Sequence, residues 1–255
     1  MKDIEINRIY NIDCVEFMKQ LPDNSVDVIL TSPPYNMTTR KGGISDTGRY
    51  DVYKDWVSVD EYLSFTEDVF KSFDRVLNTN KVVLYNFSYS IENPSLPYKL
   101  VSRIEETTPF ALVDTIVWKK KSGLPFPANK RRLSRMWEFV FVFCRKTEID
   151  TFDTYKPITS VSEKTKQKYY KVFYNFIEAR NNDGVCPYNQ ATYSSELCTK
   201  LLSIYAEKGM LVYDPFIGSG TTAVACIELG MNYIGTEIST AQCEYARERI
   251  KEKMK

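Results

Sequence analysis

The sequence indicates an α/β protein built on a largely parallel sheet, for three reasons. Short apolar runs typical of buried strands alternate with segments whose apolar residues recur at helical spacing. The 255 residues are enough to bury one substantial core, and a hydrophobic fraction of 43% is ordinary for a globular protein. No internal repeat or low-complexity tract interrupts the pattern. We therefore expect a single domain spanning residues 1–255, with an inserted segment.

The first half of the chain is expected to supply four strands and a long helix. A turn at residues 23–25 leads into an apolar strand, which ends at Pro33 and Pro34 because proline cannot donate to a sheet ladder. Apolar residues at helical spacing predict a helix over residues 59–77. The strands of this half are predicted at residues 26–31, 82–85, 111–118 and 139–144.

The C-terminal third alternates helix and strand more regularly. Helices are predicted at residues 194–205, 221–229 and 240–253, and strands at residues 210–213 and 233–236. Parallel strands need a long crossover connection, which is usually a helix, so this alternation favours parallel pairing.

Two segments lack regular periodicity. Residues 36–55 are rich in Gly, Thr, Arg and Lys and are expected to form a long mobile loop after the first apolar strand. After residue 145 the composition shifts to Lys, Tyr, Thr and Asn with weak apolar periodicity. We interpret residues 145–190 as an insertion that carries target recognition rather than core.

The composition excludes several kinds of chemistry. The sequence has no histidine, which rules out Ser-His-Asp and Cys-His catalysis. Its six cysteines are scattered without a CxxC pair, so we predict no metal site. The net charge of +1 means that any nucleic-acid contact comes from local basic patches. With no signal peptide and no membrane-spanning apolar run, we expect a reduced, cytoplasmic protein with no membrane partner.

A glycine-rich loop between the strand at 210–213 and the helix at 221–229 reads Asp214-Pro215-Phe216-Ile217-Gly218-Ser219-Gly220-Thr221-Thr222. Its glycines allow backbone to approach a ligand closely, and the absence of a Walker A lysine argues against phosphate. Glu237 ends the next strand, where an acid can accept hydrogen bonds from two ribose hydroxyls. Taken singly, the glycines are explained as turn residues and Glu237 as a helix cap. Together they favour a nucleoside cofactor.

This loop, combined with Leu30-Thr31-Ser32-Pro33-Pro34-Tyr35, resembles the amino-group DNA methyltransferases. The catalytic tetrapeptide comes first and the cofactor loop last, which is similar to the β arrangement of that family, and the resemblance covers nearly the whole chain. It implies a Rossmann-like methyltransferase fold with helices on both faces of a mostly parallel sheet, a circularly permuted motif order and a recognition segment between the motifs.

The resemblance implies that S-adenosylmethionine is the cofactor, and it assigns the site. The catalytic residues would be Ser32, Pro33, Pro34 and Tyr35. The cofactor-binding residues would be Asp13, Cys14, Asp214, Pro215, Phe216, Gly218, Ser219, Gly220, Thr221, Thr222 and Glu237. For Asp13 the alternative is that it caps a short helix running to Leu21.

The tetrapeptide suits methylation of an exocyclic amine, which is a poor nucleophile because its lone pair is delocalised into the ring. Ser32 Oγ and a backbone carbonyl near Pro33 would each accept one N–H bond and direct the lone pair at the sulfonium methyl. Tyr35 would stack on the base after it is flipped out of the duplex. Proton loss follows methyl transfer, so the reaction needs no histidine.

Leu-Thr-Ser-Pro-Pro-Tyr is similar to the N4-cytosine form of the family, so we predict N4 of cytosine, with N6 of adenine as the alternative. Double-stranded DNA is the expected partner. With no endonuclease signature, any cleavage would belong to a separate cognate restriction endonuclease, and the resemblance also allows a homodimer. Alternatives from other classes are an RNA or protein methyltransferase and an inactive DNA-binding protein.

Local basic clusters are the candidates for DNA contact, although a single charge run is usually only a solvated face. The clusters are Lys119 to Lys121, Lys130 to Arg132, and residues 164–171, in which Tyr169 and Tyr170 are interleaved. The residues predicted to contact DNA are Arg40, Lys41, Arg49, Lys130, Arg131 and Arg132.

Overall fold

A computed structural model describes residues 4–36, 52, 57–90, 93–123, 130–131, 133–184, 186–189 and 191–254. The elements in these ranges are β1 (Arg8–Asn11), α1 (Cys14–Met18), β2 (Val26–Thr31), α2 (Val59–Val76), β3 (Leu77–Phe87), α3 (Leu96–Thr107), β4 (Phe110–Lys120), β5 (Trp137–Arg145), β6 (Ile158–Val161), β7 (Lys168–Tyr170), β8 (Phe176–Ala179), α4 (Ser195–Tyr205), β9 (Leu211–Asp214), α5 (Thr221–Leu229), β10 (Asn232–Glu237) and α6 (Thr240–Lys253). Among the residues described, no helix is both long enough and apolar enough to cross a membrane.

An eight-stranded sheet forms the centre of the protein, in the order β1-β10-β9-β2-β3-β5-β4-β8. The five strands from β1 to β3 pair in parallel, whereas β5 is antiparallel to both β3 and β4, and β8 closes the far edge parallel to β4. The prediction of an α/β fold with a mostly parallel sheet is confirmed.

Helices cover both faces of the sheet, as predicted. On one face, apolar residues of α1, α2 and α3 pack on the sheet in a core rich in aromatic rings, which includes Phe17, Phe70 and Leu100. On the other face, α4, α5 and α6 supply smaller side chains, among them Leu201, Ala223 and Ala246. Because the central strands β2 and β9 are largely buried on both sides, they read as nearly continuous apolar runs.

Several helix ends are set by local sequence. Ser58 and Glu61 form a reciprocal capping box at the start of α2. Helix α5 lies between Gly220 and Gly230, both in the left-handed conformation that glycine adopts without steric cost. Ser239 accepts a hydrogen bond from the backbone of Gln242 and so caps α6.

Six elements differ from the sequence prediction. The edge strand β1, the helix α3 and the strands β6, β7 and β8 were not predicted, and β3 begins at Leu77 rather than residue 82. Strand β8 lies within residues 145–190, so part of the predicted insertion joins the sheet. The rest of that segment includes a two-stranded hairpin, β6 with β7, whose residues are all exposed.

Candidate active site

The predicted motifs meet at one edge of the parallel sheet. Ser32 follows β2, Pro215 follows β9, Glu237 ends β10, and Asp13 follows β1. The carboxyl ends of parallel strands share an edge, which is where α/β sheets bind ligands. A cavity of about 240 Å³ opens there. The predicted site residues that line it are Asp13, Cys14, Ser32, Pro34, Pro215, Phe216 and Glu237.

The carboxylate of Glu237 is held at the end of β10 by two backbone groups. Its Oε2 accepts from the Gly218 N–H at 3.2 Å, and its Oε1 accepts from the Ser239 N–H at 2.8 Å. Each carboxylate oxygen has two lone-pair sites and can accept more than one hydrogen bond. Glu237 also lines the cavity, and a capping role alone does not explain that position.

Asp13 was predicted either to bind the cofactor or to cap a short helix, and its position is compatible with both. Its Oδ1 accepts from the backbone N–H groups of Val15 and Glu16, which confirms that it caps α1. It also lines the cavity. Beside it, burial raises the pKa of the Cys14 thiol well above its usual range, so this sulfur stays protonated.

Backbone conformation accounts for both glycines of the cofactor loop. Gly218 and Gly220 have φ values of +48° and +82°, which L side chains rarely adopt. A Cβ on Gly220 would also lie 3.1 Å from the Cβ of Ala246 in α6. The turn is therefore tight because the loop packs directly against α6.

Much of the predicted cofactor loop lies behind the cavity wall. Asp214 is fully buried, and it accepts hydrogen bonds from the hydroxyls of Thr31, Tyr193 and Thr222 and from the Phe216 N–H, at 2.5 to 3.1 Å. Burial raises the pKa of this carboxyl above its ordinary value. The predicted cofactor residues that do not line the cavity are Asp214, Gly218, Ser219, Gly220, Thr221 and Thr222.

Arg249 of α6 joins the cofactor loop to the end of the predicted insertion. Its guanidinium donates to the Ser219 carbonyl at 3.1 Å, to the Thr221 hydroxyl at 3.0 Å and to the Asp183 carboxylate at 2.5 Å. Asp183 in turn accepts from the Ser195 N–H at the start of α4. Arg249 thus links the cofactor loop to Asp183, and Asp183 is linked in turn to the start of α4.

The tetrapeptide predicted to be catalytic, Ser32 to Tyr35, is fixed by hydroxyl groups. Tyr62 of α2 donates to the Pro34 carbonyl at 2.6 Å, which orients the turn. Ser32 Oγ lies 2.7 Å from the Tyr35 hydroxyl, which is 2.8 Å from Asn86 Oδ1 and 3.1 Å from Glu138 Oε2.

The Tyr35 ring is buried, with its centroid 5.1 Å from that of Phe87 in an edge-on arrangement. The stacking of Tyr35 on a flipped base stays a prediction.

The sequence missed several residues that line the cavity: Phe65, Asn189, Ala191, Ile238 and Gln242. The Asn189 amide donates to Gln242 Oε1 at 3.0 Å, so the chain leaving the predicted insertion forms part of the cavity wall. Ile238 directly follows Glu237, and that adjacency was a usable signal. The others come from distant helices or loops and carry no local signature.

The basic residues proposed for DNA contact divide into four groups. Lys130 and Arg131 are exposed, whereas Arg40, Lys41, Arg49 and Arg132 lie outside the described residues. The lysines at 119–121 each pair with an acid of this chain, namely Glu178, Glu138 and Glu196. Their charge is therefore already compensated within the protein. The exposed lysines of the β6–β7 hairpin and its turn are the clearer basic surface.

Fold and site together define a Rossmann-like, S-adenosylmethionine-dependent methyltransferase. More narrowly, the chain belongs to the N6/N4 DNA methylase family, because the model of that family, described as DNA methylase, matches residues 26–248. It is thus an amino-group DNA methyltransferase, and the inference from Ser-Pro-Pro-Tyr and the glycine-rich loop is confirmed at this level.

Named relatives agree with this assignment. Type II methyltransferase M.BglII of Bacillus subtilis is 26% identical over 261 aligned residues, spanning 94% of this chain and 68% of that protein. The PvuII cytosine-N4-specific DNA methyltransferase superimposes with a TM-score of 0.70 at 20% identity, covering 96% of this chain and 90% of that chain. The M1.HpyAVI–SAM complex gives a TM-score of 0.62 at 23% identity, covering 95% and 98%. At these identities, the structural matches support the fold.

Proposed function

We propose that this protein transfers a methyl group from S-adenosylmethionine to N4 of cytosine in double-stranded DNA at a specific site. The observation that carries the proposal is the position of Ser32, which lines the same cavity as Phe216 and Glu237. A serine offers one hydroxyl oxygen to the amine where adenine-type relatives usually offer a carboxylate or an amide. The relative named above as a type II methyltransferase supports a place in a restriction-modification system.

The cavity fits the cofactor by its chemistry. An adenosyl group needs an acceptor for its ribose hydroxyls and apolar surface for its base, and Glu237 lies beside Phe216 and Ile238. Asp13 lines the same cavity and would contact the adenine edge. S-adenosylmethionine supplies an electrophilic methyl group when bound. The buried Asp214 would act indirectly, by fixing the start of the cofactor loop through the four hydrogen bonds that it accepts.

Ser32 and Pro33 would prepare the amine for attack. Ser32 Oγ and the Pro33 carbonyl would each accept one amino hydrogen, which localises the nitrogen lone pair and aims it at the methyl group. Tyr62 keeps the turn in place through the Pro34 carbonyl. Because the target atom is inaccessible in stacked DNA, the base must first be flipped into the cavity.

The test is to incubate the protein with unmodified DNA and isotopically labelled S-adenosylmethionine, digest the DNA and identify nucleosides by mass spectrometry. N4-methylcytosine would support the proposal. N6-methyladenine would overturn the assignment of the base while leaving the family intact. If parallel incubations with RNA or protein gave labelled product and those with DNA did not, the proposal that DNA is the substrate would be overturned.

Ser32→Ala should retain cofactor affinity within about twofold while turnover falls by about a hundredfold or more, because an acceptor positioned for the reacting amine is removed. Isothermal titration and single-turnover methylation would separate the two effects. Ser203→Ala, on the exposed side of α4, is the matched control and should leave both unchanged. Normal turnover in Ser32→Ala would refute the role of this hydroxyl.

A further inference from the structure

A buried group of polar side chains lies behind the catalytic serine. The Tyr35 hydroxyl is surrounded by Ser32 Oγ, Asn86 Oδ1 and Glu138 Oε2 at 2.7, 2.8 and 3.1 Å. Glu138 of β5 forms an ion pair with Lys120 of β4. Asn86 is fully buried, and Glu138 is 9% exposed. The methylation chemistry described above assigns no role to Asn86, Glu138 or Lys120, so their presence near Ser32 calls for an explanation.

The direction of each hydrogen bond in this group follows from its chemistry. The Asn86 amide nitrogen donates to the Phe139 carbonyl at 2.8 Å, so the opposite side of that amide, which faces Tyr35, is its oxygen. The other neighbour is a carboxylate paired with an ammonium group, and it also only accepts. Two acceptors therefore face the Tyr35 oxygen, and the Tyr35 proton must point toward them rather than toward Ser32.

Ser32 must then be the donor in its bond with Tyr35. If Tyr35 donated to Ser32, its lone pairs would face two acceptor oxygens at hydrogen-bonding distance, which is repulsive. With its only proton directed at Tyr35, Ser32 presents lone pairs alone to the cavity. An amino group can donate to such an oxygen, whereas a carbonyl oxygen in the same place would be repelled.

We propose that Tyr35, Asn86 and Glu138 are positioning residues that fix the Ser32 hydroxyl as an obligate hydrogen-bond acceptor, so that the site selects a base carrying an amino group over the corresponding oxo base. This inference rests on the proposed function of Ser32. It adds a second role for Tyr35, carried by the hydroxyl rather than the ring. It also assigns a role to Lys120, whose ion pair with Glu138 orients that side chain.

The test compares binding of two DNA duplexes that differ only at the target base. The methylated site is first read by sequencing plasmid DNA modified by the protein. Duplexes are then made with cytosine or uracil at that position, or with adenine or hypoxanthine if adenine is the methylated base. Dissociation constants are measured by fluorescence anisotropy with S-adenosylhomocysteine present, so the readout is binding and not turnover. The lower cost of flipping a mismatched base is common to all variants and cancels between them.

Tyr35→Phe keeps the ring but frees the Ser32 hydroxyl to donate to an oxo base. The ratio of the oxo to the amino dissociation constant should therefore fall by about fivefold or more relative to the unaltered protein. Glu138→Gln is the second variant, because its amide can donate to Tyr35 and let the bond to Ser32 reverse. It should lower the same ratio, which keeps the proposal testable if Tyr35→Phe does not fold.

Tyr155→Phe is the matched control. It also deletes a tyrosine hydroxyl next to a lysine and a carboxylate, Lys81 and Asp153, but Lys81 lies five residues before Asn86 along β3. The ratio of the oxo to the amino dissociation constant for Tyr155→Phe should equal that of the unaltered protein. An unchanged ratio in a folded Tyr35→Phe or Glu138→Gln protein overturns the inference while leaving DNA methylation standing. Absence of any methylated DNA would overturn the proposed function itself.

Discussion

Asp214 is an individual side chain whose chemistry is set entirely by its surroundings. All four of its bonding partners are donors, and they come from β2, the cofactor loop, α5 and the chain preceding α4. A charged group removed from water in this way is stable only while its donors remain in place.

Replacing Asp214 with Asn should therefore destabilise the protein by about 2–4 kcal/mol. One acceptor oxygen becomes an NH₂ group that must face donors, so at least one buried hydrogen bond cannot form. Urea unfolding followed by circular dichroism measures the change, and the exposed Asp150→Asn is the control. A free energy of unfolding within about 0.5 kcal/mol of the original would contradict this account.

The sequence identified Asp214 as part of the site, but it did not distinguish contact with the cofactor from support of the loop. The distinction depends on Thr31 and Tyr193, which are 183 and 21 residues away along the chain. Side chains that distant leave no periodic signal. By contrast, Ser32, Phe216 and Glu237 line one cavity, and each lies at or just after the end of a strand that its own apolar pattern predicts.

Among the secondary structure elements, β8 pairs with β4 in the sheet, and the chain at its end is also linked to α4 by a network of polar contacts around Glu196. This carboxylate accepts from Lys121 at 2.8 Å, from Lys200 at 2.9 Å and from the Arg180 N–H at 3.0 Å. These bonds, led by that from Lys121, lower the pKa of Glu196 to about 2. The network connects β4, the end of β8 and the first turn of α4.

Glu196→Gln should lower the free energy of unfolding by about 1–2 kcal/mol at pH 7. A carboxyl whose pKa is lower in the folded protein stabilises it above its ordinary pKa, and this contribution disappears as pH falls toward the folded value. The difference between the two proteins should therefore shrink by more than half between pH 7 and pH 3. Glu16→Gln removes an exposed pair with Lys19 and should change little at either pH.

The accuracy of the predicted elements follows their local signals. Helices α5 and α6 have the predicted bounds, since flanking glycines and a capping serine mark their ends. Strands β1 and β8 have only four residues each, with two exposed in each case, and they exist because longer strands offer free edges. Pairing between distant segments creates them, and no local pattern encodes that pairing.

At the scale of the whole molecule, the clearest basic surface among the described residues lies on the β6–β7 hairpin. The turn between these strands closes with a bond from the Ser162 N–H to the Gln167 carbonyl, and it carries Lys164 and Lys166. Tyr169 and Tyr170 are about half exposed on β7. Lysines and aromatic rings together suit phosphate contact and base contact, and the recognition role of residues 145–190 stays a prediction.

Changing Lys164, Lys166 and Lys168 together to Ala should weaken DNA binding across all sequences. Each lysine that no longer neutralises a phosphate should reduce the slope of log affinity against log salt by about 0.9. Anisotropy titrations over a range of salt concentrations measure this slope, and cofactor affinity should not change. The same change at Lys19, Lys71 and Lys99, on or beside the first three helices, is the control. Equal slopes for the two triple variants would exclude the hairpin from the DNA interface.

The path of the chain out of residues 145–190 has a thermodynamic consequence. It passes Asp183, which binds Arg249 beside the cofactor loop, and then Asn189, which forms part of the cavity wall. One stretch of backbone is thus shared by the surface predicted to read DNA and the pocket predicted to hold the methyl donor. Any factor by which one ligand alters the affinity of the other must operate equally in reverse, because the two equilibria form a closed cycle.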